Sequence, residues 1–159
     1  MIFTVLLCLN LLFITYQDFK ERKVYLINLL ITLILISFYH YLNSYSTYSY
    51  LYTILLNCVF LSIIFLVLYL YTVLRIKEIF LKTIGLGDII FFIILAIGFP
   101  TLSFLIIFSS SLIFSFILFI FLKPRLTNKT VPLAGLQSLF LVIVVLLNNI
   151  FEVLNLYAM

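Results

Sequence analysis

Four long stretches without a charged side chain constrain this chain more than any other feature of its sequence. They cover residues 1–17, 24–74, 89–122 and 131–151. A helix needs about 20 apolar residues to cross a hydrocarbon core of about 30 Å, so each stretch is long enough for at least one crossing. Only 9% of the 159 residues are charged, whereas a soluble domain is about one-quarter charged. The composition therefore excludes an ordinary soluble domain and predicts apolar helices in a lipid bilayer.

Two of these stretches are too long for a single helix. Residues 43–50 form a polar, tyrosine-rich segment whose backbone groups cannot face lipid, and residues 98–101 contain the turn-forming pair Gly98 and Pro100. Splitting the chain at both places predicts an all-α protein with one domain over residues 1–159. Its six transmembrane helices are expected near residues 2–17, 24–42, 51–74, 87–99, 102–122 and 132–156.

The basic residues predict the orientation of these helices. All nine fall into three groups: Lys20, Arg22 and Lys23; Arg75, Lys77 and Lys82; Lys123, Arg125 and Lys129. Because Lys and Arg are enriched in cytoplasmic loops, we expect all three groups inside and both termini outside, in a multi-pass protein of the cell (inner, cytoplasmic) membrane. The net charge of +4 is then a topology signal and does not indicate nucleic-acid binding. Since the first basic group follows the first apolar run, that run is expected to be a retained helix, not a signal peptide.

Two aspartates are the candidate functional residues. Asp18 ends the first predicted helix and Asp88 begins the fourth, so both are expected at the cytoplasmic edge of the membrane, where an ionisable group suggests function. Two carboxyl groups in a partly dry site share a proton, so one can act as a base on water while the other polarises a peptide carbonyl. Helix dipoles favour the ionised form of Asp88 and the protonated form of Asp18. The pair predicts aspartic-protease chemistry without a metal or cofactor.

Structural roles are the alternative for both aspartates. Asp18 would be a loop charge balanced by basic neighbours, and Asp88 would be a helix N-cap. The chain would then be a noncatalytic small membrane protein, either an assembly partner or a carrier. Gly85 and Gly87 favour a site, because glycine lets another chain approach the backbone closely. We therefore expect these two glycines to form a loop through which a substrate approaches Asp88.

The motifs around both aspartates resemble those of a known protease family. Gly85-Leu86-Gly87-Asp88 resembles the GxGD signature of intramembrane aspartyl proteases, and Asp18 with the basic stretch up to Val24 resembles the first catalytic motif of type IV prepilin peptidases. Residues 131–135 resemble the segment that opens the last helix of that family. The resemblance implies that Asp18 and Asp88 are the catalytic pair. It also implies that the substrate is a pilin-like precursor of a type IV pilus or secretion system, whose leader is removed at the cytoplasmic membrane boundary.

The sequence departs from this family in two respects. The family commonly has Ile-Pro where this chain has Val24-Tyr25, so the second helix is expected to begin differently. Many bacterial members also carry an N-terminal region with paired CxxC motifs that is associated with methylation, and this chain is expected to resemble a short form without it. Cys8 and Cys58 are far apart within predicted helices, so we expect neither a zinc site nor a disulfide.

The remaining polar residues are expected to have structural roles. His40 is predicted to be an interfacial residue at the outer end of the second helix, and Glu21 a solvated loop charge. Residues 75–83, which include Glu78 and Lys82, are predicted to form a short interfacial helix. No partner is predicted for Glu152. Three intramembrane amides are expected to form hydrogen bonds between helices, the third of them close to the site: Asn57, Asn148 and Gln137.

Overall fold

The computed structural model describes residues 2–76, 85–123 and 131–151, together with Tyr157. All regular structure in these residues is helical, with six α-helices and no strand. The helices are α1 (Ile2–Glu21), α2 (Leu26–Asn43), α3 (Thr47–Tyr71), α4 (Leu86–Gly98), α5 (Thr101–Leu122) and α6 (Leu133–Phe151). A π-helical turn, Thr72–Ile76, continues α3. The predicted six-helix, all-α fold is therefore confirmed for the described part of the chain.

Several helices have the length and surface that a bilayer requires. By length and composition, three segments are able to cross a membrane: Leu26–Asn43, Thr47–Leu74 and Thr101–Leu122. Large apolar side chains are exposed along the outside of the described helices, whereas Thr32, Asn57 and Gln137 are fully buried. Polar groups inside and apolar groups outside are typical of helices that pack together in lipid. The described residues thus have the character of a membrane protein.

The helix ends differ from the predicted bounds for local reasons. α3 begins at Thr47, before the predicted residue 51, because the Ser46 hydroxyl accepts a hydrogen bond from the Ser49 N–H at 3.2 Å and caps the helix. α1 continues beyond residue 17 to Glu21 and ends where Arg22 takes a left-handed conformation, with φ of 54°. The interfacial helix predicted over residues 75–83 lies almost entirely outside the described residues. The predicted positions of Glu78, Lys82 and Glu152 lie outside them as well.

The short helix α4 lies at the centre of the bundle. It packs against α2, α3, α5 and α6, and six of its 13 residues are buried. Gly98 at its end packs so closely on Ile36 of α2 that a Cβ atom at this position would overlap the isoleucine side chain. Asn57 of α3 donates hydrogen bonds of 2.8 Å to the carbonyl oxygens of Ala96 and Phe99, as expected of an interhelical amide. The end of α4 is therefore fixed by packing and by hydrogen bonds.

Contacts between the helices define two ends of the bundle. At one end, the last turn of α1 meets the first turn of α6, and Val24, just before α2, lies beside Gly87 in the first turn of α4. At the other end, His40 of α2 bonds through Nδ1 to the carbonyl oxygen of Ile97 in α4 at 2.8 Å. The first of these ends brings together the chain segments that carry Asp18 and Asp88.

Candidate functional site

The two aspartates bind neighbouring backbone groups of one helix. Asp18 lies in the last turn of α1, is 7% exposed, and accepts a hydrogen bond through Oδ2 from the Gly135 N–H at 2.6 Å. Asp88 lies in the first turn of α4, is half-buried, and accepts one through Oδ1 from the Ala134 N–H at 2.8 Å. Residues 70 positions apart in the chain thus meet at the beginning of α6.

This arrangement limits the distance between the two carboxyl groups. Backbone nitrogens of consecutive residues are less than about 4 Å apart, so the two bonded carboxyl oxygens are within about 10 Å of each other. The structure therefore brings together the two residues that the sequence singled out.

The beginning of α6 explains why two carboxyl groups gather there. The first N–H groups of a helix have no partner within the helix, and neither Val131 nor Pro132 carries a side-chain acceptor for them. Carboxylates are suitable acceptors because the N-terminal end of the helix dipole is positive. Asp18, which faces the unfavourable end of its own helix, gains this favourable end of α6. The positive end of α6 therefore offsets the unfavourable position of Asp18 at the C-terminal end of α1.

Gly135 is the glycine on which the site geometry depends most strongly. A Cβ atom at this residue would lie 2.9 Å from Cβ and 3.0 Å from Oδ2 of Asp18, so a side chain would displace the carboxyl group. At Gly85 a Cβ would lie 3.1 Å from Oδ2 of Asp88. At Gly87 it would make only ordinary contact, 3.8 Å from Cβ of Val24. The sequence predicted a role for Gly85 and Gly87. Of the three glycines beside the aspartates, however, Gly135 leaves the least room for a side chain.

The structural roles that the sequence suggested for the two aspartates, a helix N-cap for Asp88 and a loop charge for Asp18, do not match the structure. The N-cap residue of α4 is Gly85, and the Asp88 carboxyl group reaches across to α6. Asp18 is a buried residue of α1 and not a solvated loop charge. Gly85 and Gly87 do lie beside Asp88, at the start of α4. Their predicted role in substrate approach stays a prediction.

Gln17 is a site residue that the sequence reasoning missed. It is 3% exposed, and its Oε1 accepts hydrogen bonds from the Tyr25 N–H at 3.3 Å and from Nδ2 of Asn28 at 3.0 Å. Tyr25 is the N-cap of α2 and forms no side-chain capping bond of its own. Gln17 therefore ties the end of α1 to the beginning of α2. The signal in the sequence was a polar residue in an apolar run, directly before Asp18.

Other predicted polar residues lie away from the carboxyl pair. Gln137 is fully buried, but its Nε2 donates to Oγ of Ser111 in α5 at 3.3 Å. His40 lies in the last turn of α2, at the end of the bundle opposite the carboxyl pair, and its side chain is fully buried. Its ring packs edge-on against Tyr50, with the ring centroids 5.0 Å apart. Asn148 lines a mainly apolar cavity together with Phe3 and Tyr157.

The ionisable groups that meet at the beginning of α6 are two carboxyl groups. Cys8 and Cys58 are free thiols, and the described residues contain no group of three or more His, Cys, Asp or Glu that could hold a metal ion.

Comparisons with protein-family models, with curated proteins and with solved structures gave no match. Function is therefore inferred from the side chains of the site and not from fold similarity.

Proposed function

We propose that this protein is a membrane aspartic endopeptidase of the prepilin-peptidase type, with Asp18 and Asp88 as its catalytic pair. The supporting observation is the pair of hydrogen bonds that the two carboxyl groups accept from consecutive N–H groups of α6. The proposed substrate is a pilin-like precursor with a basic leader and an apolar helix. The resemblance of the two aspartate motifs to those of prepilin peptidases supports this choice.

The proposed reaction uses one ionised and one protonated carboxyl group. The Asp88 carboxylate accepts a proton from water as the water oxygen bonds to the peptide carbon, while Asp18 donates its proton to the carbonyl oxygen. When the resulting diol breaks its C–N bond, Asp88 gives the proton to the leaving nitrogen and Asp18 regains one from a hydroxyl group. The helix ends favour this assignment, because Asp88 lies at the positive end of α4 and Asp18 at the negative end of α1.

The proposed topology has six crossings, both termini outside and every basic group in the cytoplasm. Lys20, Arg22 and Lys23 follow Asp18 directly, and Lys123 follows α5. Under the positive-inside rule, the bundle end that carries the carboxyl pair faces the cytoplasm. Cleavage at the cytoplasmic membrane boundary fits this arrangement, since the leader of a precursor meets its apolar helix there.

A noncatalytic role remains the second candidate, and the same hydrogen bonds favour it. Each carboxyl group satisfies an N–H group of α6 that has no partner in its own helix, as an N-cap side chain would. In this reading the two aspartates only fasten α1 and α4 to α6, and the protein is an assembly partner or a carrier.

Conversion of each aspartate to asparagine separates the two candidates. Asparagine caps helices about as well as aspartate but cannot exchange protons as a carboxyl group does. With a co-expressed pilin-like precursor, we expect Asp18→Asn and Asp88→Asn each to lower leader removal by at least about 100-fold, measured by mass spectrometry. Membrane insertion should be unchanged. Glu21→Gln, an acid in the same turn of α1 as Asp18, is the matched control and should process normally. Normal processing by both asparagine variants would leave only the structural candidate.

A further inference from the structure

Hydrogen bonds from neighbouring residues determine the orientation of the Gln17 side-chain amide. The backbone N–H of Tyr25 can only donate a hydrogen bond, so the Gln17 atom that faces it must be the amide oxygen. A second donor, Nδ2 of Asn28, binds the same oxygen. The Nε2 atom is therefore directed away from both, and it is buried without a hydrogen-bond partner among the described residues.

An unpartnered amide N–H group is unusual in this bundle. Four other buried side-chain atoms lack a partner within the described residues: Nε2 of His40, Oδ1 of Asn57, Oγ1 of Thr101 and Oε1 of Gln137. The histidine atom is an acceptor in the neutral ring, because Nδ1 donates to a carbonyl group. The two amide oxygens are acceptors as well. Gln17 thus supplies the one amide donor in this set, and a buried donor without an acceptor is unfavourable unless something else binds it.

Gln17 is linked to both aspartates through neighbouring residues. It directly precedes Asp18, and its oxygen is bonded to the residue after Val24. Val24 in turn lies against Gly87, the residue before Asp88. The Gln17 amide is therefore held in the segment of the bundle that connects the turn carrying Asp18 with the turn carrying Asp88.

We propose that Nε2 of Gln17 binds a main-chain carbonyl oxygen of the substrate next to the bond that is cleaved. This inference rests on the proposed protease function. A substrate helix must unwind locally before its peptide bond can be attacked, and its carbonyl groups then lose their helical donors in a partly dry site. A donor whose other end is already anchored by two hydrogen bonds binds such a carbonyl without first having to be ordered.

Two variants of Gln17 test this role in the purified full-length protein with a pilin-like precursor. Gln17→Glu retains an oxygen for Tyr25 and Asn28 but has no N–H donor, and Gln17→Met lacks both functions at similar size. We expect kcat/KM to fall about tenfold in each, the value of one hydrogen bond, mainly through a higher KM. Glu21→Gln is the matched control. It changes an exposed acid one helical turn after Gln17 and leaves the Gln17 amide and both of its anchors in place, so kcat/KM should stay within about threefold of the original value.

A binding measurement removes the contribution of the chemical step. In the Asp88→Asn background, adding Gln17→Glu should weaken binding of the uncleaved precursor about tenfold. Unchanged kcat/KM and unchanged binding in Gln17→Glu would overturn the inference, as would an equal loss in Glu21→Gln. These outcomes leave the protease proposal intact as long as cleavage depends on Asp18 and Asp88. A wild-type protein that does not cleave the precursor would overturn both.

Discussion

Individual residues determine whether the two carboxyl groups reach α6. Asp18 and Asp88 each accept one N–H group, and the space beside Asp18 exists because residue 135 has no side chain. The polar neighbour Gln17 fastens the adjoining turn. At this scale, the site depends on the space between residue 135 and the Asp18 side chain, which is too small for one further carbon atom.

Gly135→Ala should disrupt the site without unfolding the bundle. The added methyl group would lie 2.9 Å from Cβ of Asp18, closer than such atoms approach, so the carboxyl group must move off the Gly135 N–H. We expect precursor processing to fall roughly 10- to 100-fold, because small displacements of reacting groups have effects of this size. Ser109→Ala, at an exposed position of α5, is the control and should process normally. Equal processing rates in the two variants would contradict the proposed geometry.

At the scale of helices, α4 depends on its two ends. Its first turn carries Asp88, and its last carbonyl groups are bound by Asn57 of α3. Between these ends its side chains fill the centre of the bundle. Packing on α2 and hydrogen bonds from α3 therefore hold the helix whose first turn carries Asp88.

Gly98→Ala should lower the stability of the bundle. The new methyl group would overlap the side chain of Ile36, which is itself buried, and overpacking of this kind costs about 1–3 kcal/mol. We expect a lower thermal unfolding midpoint in detergent, followed by circular dichroism. Ser109→Ala on the exposed face of α5 is the comparison and should leave the midpoint unchanged. An unchanged midpoint for Gly98→Ala would show that the contact between α2 and α4 accommodates the methyl group without loss of stability.

The sequence predicted these helices more readily than their packing. Runs without charge gave six helices, and the ends of those runs placed Asp18 and Asp88 at similar depth. The hydrogen bonds that Asp18 accepts from Gly135 and that Gln17 accepts from Tyr25 and Asn28 were not predictable. Core and lipid-facing surfaces are both apolar and leave little periodicity in the sequence. Which helices pack together in lipid depends on small residues and hydrogen bonds, and these appear only when the structure is known.

At the scale of the whole molecule, the helices differ in length. α4 has 13 residues and is about 20 Å long, whereas the hydrocarbon core of a typical bilayer is about 30 Å thick. α3 has 25 residues and is long enough to span that core with some tilt. In the topology that we propose, a helix this short would leave Asp88 below the membrane surface.

Processing should therefore depend on bilayer thickness. We expect the protein reconstituted in phosphatidylcholine vesicles to cleave a precursor several-fold faster in bilayers with short acyl chains than in bilayers with long ones, because mismatch raises the cost of bringing water to Asp88. The rate is measured per correctly oriented molecule at constant temperature, in fluid bilayers. Glu21→Gln should show the same dependence. A rate that does not change with chain length would argue against a short central helix.

The shared attachment to α6 also determines how the site can fail. Consecutive amides of a helix are a fixed distance apart, so the spacing of the two acids does not follow gradual sliding of α1 against α4. When α1 or α4 shifts, its carboxyl group either keeps the hydrogen bond to α6 or loses it completely. A partly impaired preparation would then be a mixture of fully competent and inactive molecules, with a reduced active fraction and an unaltered turnover per active molecule.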